Sequence, residues 1–77
     1  MTAQNRIVEI LRQIAGKPID PSPEESLFES GLLDSFSLAD LVSALEREFA
    51  VQIPDADLKP SKFDTVARIE AYIQSCN

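Results

Sequence analysis

An all-α fold, a bundle of three main helices plus a short third helix ahead of the closing one, is predicted by three features of the 77-residue sequence. Three segments carry apolar residues at helical spacing. The five prolines and two glycines fall between those segments rather than inside them. No run alternates apolar and polar residues for long enough to build a sheet. With 44% hydrophobic and 26% charged residues, the composition is that of a folded domain rather than a disordered tail, and the length suits one domain over residues 1–77.

Ile7, Ile10, Leu11 and Ile14 stand at i, i+3, i+4 and i+7, and Gly16 followed by Lys17-Pro18 supplies a stop, which predicts a first helix over about residues 3–15. Pro18, Pro21 and Pro23 then forbid a continuous helix. Ser22-Pro23-Glu24-Glu25 reads as a capping box with proline at the first helical position, so a single helical turn is expected inside a long loop. A structured connection of this length needs apolar anchors, and Leu27 and Phe28 are placed to supply them. Leu38, Leu41, Val42, Leu45 and Phe49 make the strongest helical stripe in the chain; with Asp34 as its N-cap, this second helix spans about residues 35–50. Val51-Gln52-Ile53-Pro54 is β-branched and ends on proline, which predicts an extended link, followed by a short helix within Asp55–Leu58 that Pro60 stops. Asp64 or Thr65 caps the closing helix, about residues 65–75, whose stripe is Val66, Ile69, Tyr72 and Ile73.

The formal charge of −6 is uneven: from Asp20 to Asp57 ten acids stand against the single base Arg47, a net −9. A field of that sign repels nucleic acid and anionic lipid and steers partners with basic patches. The same charge also serves solubility. Without histidine there is no Ser-His-Asp or Cys-His constellation, and the usual near-neutral acid/base group is missing. Glu46 and Glu48, two apart on a helix, point in different directions and share no site. Asp55-x-Asp57-x-Lys59 opens like a calcium loop, but Pro60 replaces the turn glycine and Val66 the bidentate glutamate, so calcium binding there is rejected. Neither a GxxxxGK(S/T) nor a GxGxxG pattern is present, so nucleotide binding has no support. Cys76, the only cysteine, permits no internal disulfide and reads as an incidental exposed thiol, which fits a reducing cytoplasm. No stretch approaches the roughly 18 apolar residues of a spanning helix, so no membrane insertion is expected.

Asp34-Ser35 opens the best helix. Such a pair is usually a cap and no more. A hydroxyl in the first helical turn nevertheless faces solvent at the positive end of the helix dipole, where a phosphate is well tolerated. Here the sequence resembles the acyl carrier protein family, whose hallmark is a Gly-x-Asp-Ser-hydrophobic run opening the second helix, matched by Gly31, Leu33, Asp34, Ser35 and Phe36. The likeness continues through Leu27-Phe28, Leu41-Val42, the run from Leu45 to Phe49, Ile53-Pro54-Asp55 and the closing helix, and so covers nearly the whole chain.

The resemblance implies a four-helix carrier bundle, monomeric and not itself an enzyme, in which a phosphopantetheinyl transferase moves 4'-phosphopantetheine from coenzyme A onto Ser35. Cargo then rides the arm as a thioester between an acyl- or aminoacyl-loading ligase and downstream synthases or transferases, in fatty acid or other biosynthesis. It also implies that Asp34 helps hold magnesium during the transfer, and that Asp40, Glu46 and Glu48 dock basic patches on partner enzymes. Ser37 stands where many fatty-acid carriers have an acid, Arg47 interrupts the acidic run and Phe36 replaces the usual leucine. The run Leu27 to Ser35, with Phe63-Asp64-Thr65, also resembles D-alanyl, other aminoacyl or peptidyl carriers and carriers of specialised pathways. An unmodified helical interaction module, in which Asp34 only caps, is the alternative from a different class.

Overall fold

The computed structural model describes residues 3–75, and Cys76 lies outside them. Helix α1 is Ala3–Ala15, α2 is Ser35–Phe49 and α3 is Val66–Ser75, with 3-10 turns at Asp55–Asp57 and Pro60–Lys62 between the last two. Among the described residues there is no strand. Helix α1 packs on both α2 and α3, so the core lies where the three apolar stripes meet.

Ile7, Ile10 and Leu11 are buried on α1. Gly16, at φ 70°, closes the helix as expected, its amide donating to the Arg12 carbonyl at 2.9 Å. On α2 the buried face is Leu38, Leu41, Val42 and Leu45. Phe49 is only half-buried, and the Arg6 guanidinium lies 4.8 Å from its ring centroid. The helix stops at Phe49 because Ala50 turns left-handed at φ 55°, its amide bonding the Glu46 carbonyl. An L-residue there is strained where glycine is not. Ala50→Gly is therefore expected to stabilise the fold by about 0.5–1 kcal/mol, read as a raised urea midpoint with unchanged slope.

The expected helical turn at Ser22 to Glu25 is one hydrogen-bonded turn and goes no further. The Glu25 amide reaches the Ser22 carbonyl at 3.1 Å, and the Ser22 amide reaches the Glu25 carboxylate at 3.4 Å. To continue as a helix, the Leu27 amide would have to bond the Pro23 carbonyl. Both groups are taken by the start of α3: the Leu27 amide donates to the Asp64 carbonyl at 2.6 Å, and the Pro23 carbonyl accepts from the Ala67 amide at 3.0 Å. Leu27 is fully buried, and Phe28 packs half-buried against the core, so both anchor the loop as expected.

Val51 and Ile53 are buried on either side of exposed Gln52, as an extended link requires. The short helix expected within Asp55–Leu58 is the first 3-10 turn. The second was not anticipated, because Pro60 opens it at the first position rather than ending structure there. Phe63 follows with no exposed surface, its ring edge-on to Tyr72 at 5.2 Å and 62°. The Tyr72 hydroxyl donates to Asp57 at 2.6 Å, and the Lys62 ammonium donates to the same carboxylate at 2.9 Å, which holds the Asp57 pKa below the usual carboxylate value. Of the two candidate caps of α3, Thr65 takes the role: its hydroxyl oxygen accepts from the Arg68 amide at 3.0 Å. Asp64 is engaged elsewhere.

Candidate functional site

Ser35 is the first residue of α2 and is exposed, and among the described residues its hydroxyl makes no hydrogen bond. Its position follows from the residues before it. Gly31, at φ 84°, reverses the chain; the Leu32 and Leu33 amides both donate to the Leu27 carbonyl at 3.0 Å; and Leu33 is 97% buried. Leu33 thus fixes the chain to the core two residues before the serine.

Asp34 is extended, at φ −139° and ψ −175°, and its Oδ1 accepts from the Phe36 amide at 3.0 Å and the Ser37 amide at 2.8 Å. Two donors that every helix leaves without an intrahelical partner are thereby satisfied. The Ser37 amide is the main reason the Asp34 pKa is lowered from its ordinary 3.8, with the Ser37 side chain and the Phe36 amide contributing. Folding therefore favours the charged form, so the cap's contribution is complete above pH 3.8 and is lost as pH falls through the lowered value. Asp34→Ala is expected to melt below wild type by a gap that is constant at neutral pH and closes only below pH 3.8, read in a series of thermal melts.

A serine hydroxyl needs a base before it acts as a nucleophile. Asp34, with its pKa depressed and Oδ1 occupied by two amides, is a poor one. Within this chain, Ser35 therefore has no partner that would activate it as a nucleophile. A phosphodiester fits there: the hydroxyl is exposed, no side chain covers it, and the positive end of a 15-residue helix lies beneath it. Among the described residues no cluster of three or more ligating side chains could hold a metal ion.

The three acids expected to dock partners are not equivalent. Asp40 is exposed and in no ion pair among the described residues. The Glu48 carboxylate is paired with Arg6, whose guanidinium also donates to the Glu48 carbonyl at 3.0 Å. Glu46 is half-buried and accepts from the Ile53 amide at 2.9 Å, tying the extended link to α2. Phe36, beside Ser35, is 85% exposed, the one large hydrophobic residue so exposed among those described. Its place off the apolar stripe of α2 is the sequence signal for that exposure.

Residues 5–73 match the family described as "Phosphopantetheine attachment site". A D-alanyl carrier protein of Leuconostoc citreum is 35% identical over 75 residues, covering 97% of this chain and 96% of that one. An acyl carrier protein of Thermobifida fusca is 38% identical over 69 residues, 88% of this chain and 85% of its own length. A lincomycin biosynthesis protein of Streptomyces lincolnensis is 37% identical over 75 residues, which are 95% of this chain but 27% of that protein.

Proposed function

The chain belongs to the phosphopantetheine attachment-site family and is a carrier protein whose prosthetic group is covalent 4'-phosphopantetheine, and from that premise we propose that the arm is attached to Ser35. The observation that carries this reading is the exposed Ser35 hydroxyl at the capped start of α2, inside the matched segment. When bound, the arm supplies a thiol on which cargo travels as a thioester. The chain's own residues hold the attachment point. Leu33 anchors it to the core, and Asp34 orders the first turn and is the residue that would contact a magnesium ion during attachment.

In this reading the chain catalyses nothing by itself, because the proton of Ser35 is taken by a base on the transferase. The cargo is an acyl or aminoacyl group, and aminoacyl cargo is supported by the D-alanyl carriers among the relatives. Proteins of this family work with a phosphopantetheinyl transferase and with loading and downstream enzymes. Of the three acids, Asp40 is the charge best placed to meet their basic patches, since Glu46 and Glu48 have partners within the chain. No helix among the described residues is long and apolar enough to cross a membrane, which is compatible with work beside cytoplasmic enzymes.

Incubation with coenzyme A, magnesium and a promiscuous phosphopantetheinyl transferase is expected to add the mass of one arm to the wild type and nothing to Ser35→Ala. An arm on the alanine variant would move the site elsewhere.

A further inference from the structure

The loop that presents Ser35 is held from the far end of the sequence. Asp64, the residue before the cap of α3, accepts the Ser26 hydroxyl at 2.7 Å and the Phe28 amide at 3.3 Å on its Oδ1, while its carbonyl accepts the Leu27 amide at 2.6 Å. Ser26 passes the constraint on, its oxygen accepting from the Glu29 amide at 3.2 Å. Between them stands Leu27, whose carbonyl takes the amides of Leu32 and Leu33. The Asp64 main chain is thus linked through Leu27 to Leu33, two residues from the serine, while its carboxylate holds Ser26 and Phe28 on either side of Leu27 and, through Ser26, Glu29. Without Asp64, Ser26 and the amide of Phe28 would be left half-buried without that partner. The loop would then be held to α3 by the buried side chain of Leu27 and by the main-chain bond from its amide to the carbonyl of residue 64.

We propose that Asp64 is a positioning residue for arm attachment: it latches the loop of residues 26–33 to α3 and so holds Ser35 in the orientation that the transferase meets. This rests on Ser35 being the attachment point. A loosened loop would be competent only part of the time, and apparent affinity falls in proportion to the competent fraction. Loss of the latch is therefore felt in KM for the carrier rather than in kcat. Asparagine keeps a carbonyl oxygen able to accept both side-chain bonds, whereas alanine keeps neither.

The test uses the full chain with Asp64→Ala, Asp64→Asn and Ser26→Ala, each below its melting temperature. Two readouts are taken: amide hydrogen exchange, and kinetics of arm transfer from coenzyme A followed by intact mass. In Asp64→Ala the amides of Phe28, Leu32 and Leu33 are expected to exchange about tenfold faster relative to that of Leu11 in α1, which reports opening of the rest of the fold. The KM for the carrier is expected to rise about tenfold with kcat nearly unchanged. Asp64→Asn should restore both, and Ser26→Ala should fall between. Uniform acceleration of loop and α1 exchange would mark Asp64 as merely stabilising and overturn the proposal. So would transfer at wild-type KM despite a loosened loop. If the wild type takes no arm, or Ser35→Ala takes one, the attachment reading fails instead; the exchange pattern judges the latch separately.

Discussion

Phe63→Ala is expected to lower stability by about 3–5 kcal/mol, the range for removing a fully buried aromatic ring. Phe63 has no exposed surface and is first in volume among the fully buried side chains. It follows the second 3-10 turn in sequence, and its ring packs against Tyr72 of α3 in an edge-type contact at 5.2 Å. Truncation leaves a cavity and deprives Tyr72 of the contact that orients its hydroxyl toward Asp57. A chain of 77 residues is expected to have a total stability of only about 4–12 kcal/mol, so this one change removes a large part of it. Urea unfolding should show a much lower midpoint. Phe63→Leu, which keeps most of the volume, should lose far less.

Ser35→Ala is expected to be the opposite kind of change, abolishing arm attachment while leaving the fold intact. Its side chain is exposed, and its hydroxyl bonds nothing among the described residues, so no contact is lost. Alanine is also the better helix former by about half a kcal/mol, so the melting temperature should hold or rise slightly. Arm transfer needs an oxygen to form the phosphodiester, and the methyl group has none. Ser37 is a poor substitute: it is half-buried, and its amide is bonded to the Asp34 carboxylate two positions further into the turn. Ser35→Ala should therefore give an arm-free protein with an unchanged unfolding curve, which separates a carrier from an unmodified interaction module.

What could be read from the sequence was what depends on neighbours along the chain. The three helices follow from periodic Ile, Leu and Val, and their starts and stops from Asp34, Thr65 and Gly16, each acting within one turn. The alanine stop at Ala50 carried no such mark, because the left-handed residue there is not a glycine. Phe63 sits in no periodic segment, so its place at the centre of the core comes only from the way the 3-10 turns fold back onto α3. The single turn at Ser22 was legible from its local capping signal, but its partners Asp64 and Ala67, about 40 residues away, were not. Ser35 was legible as one residue of a motif. The docking acids were legible only as charges: whether Glu46 and Glu48 face partners or serve the chain depends on Ile53 and Arg6, which sequence spacing does not bring beside them.

The most direct test of the carrier account is to treat the wild-type chain with coenzyme A, magnesium and transferase, digest it, and locate the added mass by peptide fragmentation. The account predicts one arm per chain, carried by the peptide that contains Gly31 to Phe36, with the mass on Ser35. An arm on any other residue, or no arm at all, would contradict it.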